Sequence, residues 1–444
     1  MTETVPGTFF CLSLGCFKNR VDSERIAGLL RRAGYRLVPE AEGADLCIVN
    51  TCGFLRSAVE ENIEAILDLA ALRKEGRVGR VGVVGCLVNR YAGALPEEIP
   101  EVDFWARSED YAAMLDGANA RCRDFPGEAP PRAILPAHGR HVRYLKVSEG
   151  CDNRCAYCAI PSIRGGLRSL PIAALVREAE VMAEEGAREI CLVGQDLTAY
   201  GSEAGFGGDR LTELLDALEG ALPASLWLRL LYLHPARVER PLLERVADGR
   251  QILPYLDMPI QHASDAVLAA MNRADSLERL LGIFTTARDI REDFALRTTC
   301  MVGFPGETRK DFNDLLRFLE AARFDRVGAF LFSPEEGTPA AAMPSQVPNR
   351  TKRARLERLM ALQAEISLER QGLFVGRELD ILVDEAATPG IVEGRSFREA
   401  PEVDGLIEVE LAAGRSLRPG DRTRVLVTEA YEHDLLAKEV AYEA

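Results

Sequence analysis

The sequence predicts an α/β protein in three parts: an N-terminal doubly wound parallel sheet, a central partial (βα)6 barrel and a small C-terminal antiparallel β-barrel of the OB type. Three observations predict this fold. Short apolar strands alternate with helical stretches near the N-terminus, the alternation returns six times in the central region, and short strands separated by Gly, Pro and charged residues follow Gly376. A chain of 444 residues is long enough for about three domains with full cores.

Three apolar runs in the N-terminal part each end in a cysteine. The runs are Phe9–Gly15 before Cys16, Leu46–Thr51 before Cys52, and Arg80–Gly85 before Cys86. Parallel strands end at one edge of a sheet, where such sheets bind ligands, so we expect these cysteines to converge and to form a metal site. The alternative for a lone cysteine is burial as a small hydrophobe, which is the role expected for the others: Cys11, Cys47, Cys122, Cys191 and Cys300.

Composition and periodicity predict the domain boundaries. The N-terminal domain spans 8–122, a Pro- and Gly-rich linker 123–139, the central domain 140–374 and the C-terminal domain 376–444. The candidate strands of the central domain are 142–148, 190–194, 226–232, 255–259, 296–302 and 327–332, with helical periods such as 172–185 and 211–222 between them. In barrels of this kind the loops at the carboxyl ends of the strands carry the chemistry.

The C-terminal region begins after one long amphipathic helix. Apolar residues at helical spacing predict that helix at 352–371. Beyond Gly376, short strands are predicted at 378–384, 405–411 and 424–428, and turn residues separate them.

A compact cysteine triplet, Cys151, Cys155 and Cys158, is the most informative local feature. Thiolates spaced Cys-x3-Cys-x2-Cys can bind three of the four irons of a cubane cluster and leave the fourth iron open to a small molecule. Structural zinc would need a fourth nearby Cys or His in its usual form, and the nearest upstream His is His141. Two other roles of these cysteines are possible: packing in the core as free thiols, or forming a disulfide. A disulfide is unusual in a long chain without a secretory signal.

The overall composition favours a soluble protein of the cytoplasm. Residues 1–6 show no basic segment leading into an apolar stretch, and no apolar run approaches the ~20 residues that span a bilayer. Reducing conditions there keep thiols available for metal. The net charge of −15 argues against nonspecific binding to a phosphate backbone and would suit a basic protein partner.

The triplet resembles the radical S-adenosylmethionine (SAM) signature, and further segments resemble the methylthiotransferases within that superfamily. These segments are Cys16–Glu24, Val49–Phe54, Val84–Cys86, Leu253–Ser264 and Met301–Thr308. The run Phe332–Pro339 is similar to the RimO branch, which modifies an aspartate of a small-subunit ribosomal protein, and the C-terminal region resembles a TRAM domain. Many relatives have Pro where this chain has Phe17.

The resemblance implies two [4Fe-4S] clusters and SAM as cofactors. Cys16, Cys52 and Cys86 would hold an auxiliary cluster, and Cys151, Cys155 and Cys158 the cluster that binds SAM. One SAM would methylate sulfide at the auxiliary cluster. A second would be split to a 5′-deoxyadenosyl radical that takes a hydrogen from the aspartate β-carbon, which then captures the methylthio sulfur. The cofactors would do the difficult bond chemistry while the protein positions them.

Other candidate site residues follow from their expected places at strand ends and in loops. Gln195 and Asp196 would end the second barrel strand, and Gly303 and Glu307 the fifth, so these four and Tyr157 are proposed to contact SAM. For each of the four, a role in a turn or helix cap is an equal alternative, and Tyr157 could simply pack. His234 and His262 are expected to be satisfied polar groups rather than bases.

The predicted substrate is an aspartate of small-subunit ribosomal protein twelve, with a low-potential electron donor such as flavodoxin or ferredoxin as a further partner. Glu335 and Glu336 are expected to face the substrate and would repel phosphate. Residues 376–444 hold sixteen Asp/Glu against eight Lys/Arg, and their aromatic residues are Phe397, Tyr431 and Tyr442. An RNA-binding barrel would instead be basic and carry stacking aromatics.

The sequence leaves two different functions open. The first is methylthiolation of an adenosine beside the anticodon of transfer RNA. The second is a non-enzymatic iron–sulfur carrier or scaffold, although carriers usually close each cluster with four cysteines.

Overall fold

The computed structural model describes residues 7–120, 130–203, 210–248 and 251–440. The first part of the expected linker, 123–129, lies outside the described residues, as do Cys122 and Tyr442. Among the described residues, no helix is both long and apolar enough to cross a bilayer.

The N-terminal part is a five-stranded parallel sheet with helices on both faces, as predicted. Its strands are β1 (Thr8–Ser13), β2 (Arg36–Leu37), β3 (Leu46–Thr51), β4 (Arg80–Gly85) and β5 (Phe104–Arg107) in the order β2-β1-β3-β4-β5. The helices are α1 (Phe17–Arg32), α2 (Arg56–Lys74), α3 (Cys86–Tyr91), α4 (Leu95–Glu98) and α5 (Tyr111–Gly117). One apolar cluster packs on each face, because the strands are buried on both sides.

The central part is a six-stranded partial barrel. Its strands are β6 (Val142–Lys146), β9 (Glu189–Val193), β10 (Trp227–Leu230), β11 (Tyr255–Asp257), β12 (Ala295–Val302) and β13 (Arg326–Leu331). They pair in parallel as β6-β9-β10 and β11-β12-β13, and a bridge between Leu228 and Ile252 joins the two halves. A short antiparallel pair, β7 (Ser148–Glu149) and β8 (Arg168–Ser169), follows the first strand.

Helices cover the outside of the barrel and enclose its largest apolar core. They are α7 (Ile172–Glu184), α8 (Arg210–Ala221), α9 (Arg240–Asp248), α10 (Asp265–Ala270), α11 (Leu277–Ile290), α12 (Arg309–Ala322) and α13 (Asn349–Gly372). The last is the predicted amphipathic helix, with Leu359 and Ile366 buried against the barrel. The short helix α6 (Ile160–Arg164) instead packs at the N-terminal part, with Ile163 against Cys86.

The C-terminal part is a closed five-stranded barrel, as expected. Its strands are β14 (Glu378–Thr388), β15 (Ile391–Arg395), β16 (Ile407–Glu410), β17 (Arg422–Ala430) and β18 (Leu435–Glu439) in the order β14-β15-β16-β18-β17. Pairing is antiparallel except between β16 and β18, which are parallel. The apolar pattern of the sequence did not predict β15 and β18, because these strands are short and contain or adjoin charged residues.

Buried ion pairs attach this small barrel to the central one. Glu189 on β9 is fully buried and accepts hydrogen bonds from Arg229 on β10 at 2.6 Å and from Arg395 on β15 at 2.7 Å. Asp325, just before β13, is held by Arg288, Arg370 and Arg398. Arg395 and Arg398 belong to the C-terminal part. Charged residues that would be expected at the protein surface therefore form a buried junction between two domains.

Two helical glycines make a matched test of the packing between α1 and the segment that leads to the barrel. A Cβ added at Gly28 would lie 1.9 Å from the carbonyl oxygen of Pro131, whereas a Cβ at Gly282, on α11, meets nothing within 4 Å. We expect Gly28→Ala to lower the free energy of unfolding by about 1–3 kcal/mol. Gly282→Ala should raise it by about 0.5–1 kcal/mol. Urea unfolding followed by circular dichroism measures both, and equal shifts would contradict the assigned contact.

Candidate functional site

A cavity of about 350 Å³ lies between the carboxyl edge of the N-terminal sheet and the carboxyl ends of the barrel strands. All six predicted ligand cysteines line it: Cys16, Cys52, Cys86, Cys151, Cys155 and Cys158. Each is a free thiol, and so are Cys11, Cys47, Cys191 and Cys300, which are buried as expected. Two triads that are far apart in the chain therefore share one cavity.

The N-terminal triad is assembled by three strand ends. Cys16 is the N-cap of α1, Cys52 follows β3, and Cys86 opens α3 directly after β4. Gly15 has a φ of +92°, and a Cβ there would lie 2.6 Å from the Cβ of Cys52. A glycine is therefore needed for Cys16 and Cys52 to approach each other.

The second triad lies in the loop that leaves the first barrel strands. The amide of Cys158 donates to the carbonyl of Cys155 at 3.0 Å, which turns the loop back on itself. Gly150 precedes the triad with a φ of +70°, and a Cβ there would lie 2.1 Å from the carbonyl oxygen of Gly166. The glycine lets the two ends of the loop touch.

The spacing of the thiols argues against a single metal ion in either triad. Sulfurs around one tetrahedral zinc lie about 3.8 Å apart, given Zn–S bonds of about 2.3 Å. Among the residues that the structure describes, one group of three Cys, His, Asp or Glu side chains has its ligand atoms within 4.8 Å of one another, and it is Asp22, Glu109 and Glu149. Neither cysteine triad meets that limit, so the three sulfurs of each triad are not arranged as around one zinc ion.

The acidic group is already occupied by the protein's own cations. Lys146 donates to Asp22, to Glu109 at 3.0 Å and to Glu149 at 2.7 Å. Arg164 contacts Asp22 at 3.0 Å and Glu149 at 2.9 Å. These five residues, the domain-joining ion network, connect the N-terminal sheet to the barrel. Lys146 and Arg164 hold the pKa of Glu149 well below its usual range despite its burial.

Arg164 also contacts one cysteine of the N-terminal triad directly. Its Nε donates to Cys86 Sγ at 3.0 Å, and its Nη2 donates to Asn19 at 3.2 Å. Burial raises the pKa of the Cys86 thiol to about 12, and the Arg164 guanidinium opposes that shift. A neighbouring cation favours the thiolate, the form that binds metal.

Several cavity residues were not predicted from the sequence. Lys18 places its Nζ 3.7 Å from the ring centroid of Tyr232. Tyr232 and Gln261 also line the cavity, with positive φ values of +65° and +68° that non-glycine residues rarely adopt. The buried Oε1 of Gln261 has no hydrogen-bond partner among the described residues. Such backbone conformations cluster at functional sites, but they arise from packing and leave no mark in the sequence.

The residues predicted to contact SAM divide into two sets. Tyr157 and Gln195 line the cavity. Asp196 does not; it caps the turn Leu197–Ala199 and accepts hydrogen bonds from Asn153 and Arg237, both at 2.6 Å. This is the capping alternative that its position at a strand end left open.

Gly303 and Glu307 also lie outside the cavity lining. The Glu307 carboxylate accepts the amide of Gly303 at 2.5 Å and a guanidinium hydrogen bond from Arg355 at 2.6 Å. This arrangement closes the turn that precedes α12, as the turn alternative predicts.

The two acidic residues expected to face the substrate point in different directions. Glu335 lines the cavity, is 2% exposed and pairs with Arg90 at 3.1 Å, so its charge is compensated. Its carboxylate also accepts the amide of Arg56. Glu336 is exposed at the surface. Of the two, only Glu336 offers an uncovered carboxylate.

Both histidines are neutral polar groups, but the expectation that they are satisfied is wrong in part for His262, whose buried Nε2 has no hydrogen-bond partner among the described residues. His234 Nδ1 accepts the amide of Ala236 at 3.2 Å, and His262 Nδ1 accepts the amide of Ser264 at 2.9 Å. Burial lowers the pKa of His234 to about 3 and that of His262 to about 4. His234 lines the cavity but is uncharged at neutral pH.

Phe17, directly after Cys16, has its own structural role. Its ring stacks on Tyr144 of β6, with centroids 4.3 Å apart and planes inclined by 10°. The contact ties the first turn of α1 to the barrel beside Cys16.

Family comparisons match all three parts of the chain. Residues 8–107 match the model described as uncharacterized protein family UPF0004, residues 145–319 match the Radical SAM superfamily, and residues 375–440 match the TRAM domain.

Curated relatives match over almost the full length. A protein of Anaeromyxobacter sp. (strain K) named ribosomal protein uS12 methylthiotransferase RimO is 45% identical, over 97% of this chain and 92% of the relative. Proteins of the same name from Desulforudis audaxviator and Desulforamulus reducens are 44% and 40% identical, each over 96% of this chain and over 96% and 98% of the relative.

Solved structures show the same fold at low sequence identity. The radical SAM methyltransferase TsrM from Kitasatospora setae, with cobalamin and a [4Fe-4S] cluster bound, has a TM-score of 0.54 at 14% identity, covering 87% of this chain and 80% of that chain. The cobalamin-dependent SAM radical enzyme OxsB has a TM-score of 0.53 at 11% identity, covering 76% and 54%.

Two neighbouring arginines test the domain-joining ion network. Arg164→Met would leave the buried carboxylates of Asp22 and Glu149 short of a partner, so we expect the free energy of unfolding to fall by about 3–5 kcal/mol. Arg168→Met is the control, because Arg168 is 66% exposed in its pair with Glu109 and such pairs contribute about 0–1 kcal/mol. Thermal and urea unfolding of both variants give the comparison. A loss for Arg164→Met no larger than that of the control would contradict the role of this network.

Proposed function

We propose that this chain, which belongs to the RimO family of radical SAM methylthiotransferases, adds a methylthio group to the β-carbon of an aspartate in ribosomal protein uS12. Near full-length identity of 40–45% to proteins of that name supports the activity. The observation that carries it is the single cavity lined by two separate cysteine triads. A sulfur donor and a radical source must act on the same carbon, so they must face one space.

The cofactors of the enzyme are SAM and two [4Fe-4S] clusters, and the donor set suits them. Cys16, Cys52 and Cys86 would hold the auxiliary cluster, and the Cys151 triad would hold the cluster that binds SAM. Each triad offers three free thiols that line one cavity. When bound, these groups supply one-electron cleavage of SAM and a methylthio sulfur.

The protein's own side chains bind, orient and exclude water. Tyr157, Gln195 and Asn153 line the cavity, and Tyr157 and Gln195 would contact the polar parts of SAM. Leu55, Met301 and Phe330 add apolar walls, which keep water from a reactive carbon centre. Asp196, Gly303 and Glu307 would act indirectly, by shaping the loops behind this wall.

An acidic protein surface supports the protein substrate over RNA. The C-terminal residues 376–444 carry a net charge of −8, and Glu336 is exposed near the cavity rim. A negative surface attracts a Lys- and Arg-rich protein and repels phosphate. The proposed division into domains 8–122, 140–374 and 376–444 is supported by an apolar core within each part, and a further cluster that includes Val21, Tyr144 and Leu382 joins the three.

Two accessory proposals follow from the chemistry. Reductive cleavage of SAM needs a low-potential electron, so a flavodoxin or ferredoxin is the proposed donor. A cytoplasmic location is proposed because the thiols of both triads must stay reduced to bind metal.

Single cysteine variants test the separate roles of the triads. Cys52→Ala should lose about half of the iron, retain cleavage of SAM to 5′-deoxyadenosine and form no methylthio product. Cys155→Ala should lose a similar share of iron and all SAM cleavage. Cys300→Ala is the matched control, because this thiol is buried in the barrel core, away from the cavity. Undiminished product from Cys52→Ala would remove the N-terminal triad from the mechanism.

A competition experiment tests the substrate. Reconstituted, reduced enzyme is given uS12 and transfer RNA together with SAM, and both are weighed by mass spectrometry. We expect uS12 to gain the mass of one methylthio group in place of hydrogen and transfer RNA to gain nothing. A gain on transfer RNA alone would reject the proposed substrate, and SAM consumption without either product would reject the methylthiotransferase activity.

A further inference from the structure

Lys18 is a buried cation that faces the space between the two triads. It lies two residues after Cys16, lines the cavity and is 6% exposed. Cys52 of one triad and Cys158 of the other line the same cavity as Lys18.

The charges around the cavity leave Lys18 without a carboxylate partner. Besides Lys18, the Lys and Arg side chains that line the cavity are Arg164 and Arg273. Arg164 is paired with Asp22 and Glu149, and Arg273 lies 3.3 Å from Asp275. In the part of the chain that the structure describes, Lys18 Nζ has no carboxylate oxygen within 4.0 Å. The carboxylate that lines the cavity, Glu335, is paired with Arg90.

The contacts that Lys18 does make leave part of its donor capacity unused. An ammonium has three N–H donors. One reaches the Gly194 carbonyl oxygen at a long 3.4 Å, and the Tyr232 ring lies 3.7 Å away. Neither contact is with a carboxylate, so the ammonium keeps N–H donors free for an anion that enters the cavity.

We propose that Lys18 is the substrate-positioning residue that binds the side-chain carboxylate of the target aspartate. This inference rests on the proposed function and deepens it. An aspartate carboxylate is the anion that such a substrate brings to a cavity between the triads. A charge-assisted hydrogen bond from an ammonium to a carboxylate is short and strong, and the cation–π contact with Tyr232 fixes the lysine arm.

The proposal accounts for selection of one carbon. The aspartate β-carbon is bonded directly to the carboxyl carbon, so holding the carboxylate places the β-carbon within about 1.5 Å of a fixed point. Asparagine lacks the charge, and glutamate would place a different carbon next to the carboxylate. Lys18 therefore sets specificity for aspartate without taking part in bond breaking.

Binding measurements on enzyme and substrate variants test this assignment. Holoenzyme with SAM, wild type or Lys18→Met, is titrated anaerobically with uS12 that carries Asp or Asn at the modified position. We expect Lys18→Met to weaken binding of the Asp protein by about tenfold to a hundredfold. Wild type should bind the Asn protein more weakly by a similar factor, and Lys18→Met should cause no further loss there. Lys18→Arg should recover part of the affinity for the Asp protein.

The outcomes separate the possible roles of Lys18. Equal loss of affinity for the Asp and Asn proteins, or no loss for either, would overturn the assignment and leave Lys18 as a structural or counter-charge residue. Iron content of Lys18→Met checks that the clusters are intact. If Lys18→Met loses iron, the test uses the wild-type enzyme alone. Equal affinity of the wild-type enzyme for the Asp and Asn proteins then overturns the proposal. If uS12 is not modified at all in the competition experiment, it is the proposed function that fails.

Discussion

The domain-joining ion network is the interaction on which the site depends. Asp22 and Glu109 come from the N-terminal part, and Lys146, Glu149 and Arg164 come from the barrel. Four of the five are at least nine-tenths buried, so their charges are compensated by each other and not by water. Removing a partner would leave an uncompensated charge in a region of low polarity, which makes the relative position of the two domains specific.

That junction gives the six cysteines a common cavity. Arg164 belongs to the network and also donates to Cys86, so the same side chain that joins the domains contacts a proposed cluster ligand. Lys146, Glu149 and Arg164 flank the Cys151 triad in the chain, and Asp22 follows Cys16 by less than two helical turns. Structural and functional residues are therefore interleaved along short segments.

Charge is distributed differently at the two ends of the barrel. At the end with the cavity, each carboxylate of the domain-joining ion network is paired with a cation. Among the residues that the structure describes, Lys18 in the cavity has no carboxylate partner and can bind a ligand. At the other end, Glu189 and Asp325 bind arginines of the C-terminal barrel. The C-terminal part also contributes acidic residues to its attachment, since Asp404 pairs with Arg297 and Asp384 with His141.

The sequence by itself determined the class of each domain and the six candidate ligands. Apolar periodicity predicted the ends of β3 and β4 to the residue, and the cysteines follow those strand ends because parallel strands terminate at one edge. The Cys151 triplet is a local pattern whose meaning depends on spacing within one loop. Such features are encoded over short stretches of chain and can be read directly.

Only the tertiary structure decided which other residues meet at the site. Lys18, Tyr232 and Gln261 come from three separate elements, and nothing in their local sequence indicates that they face one cavity. Glu335 turned inward to Arg90, and Asp196 and Glu307 became turn and cap residues, since a side chain's role depends on the nearest opposite charge or free amide. Those partners lie up to hundreds of residues away, so pairing across domains is settled by packing and not by the local pattern.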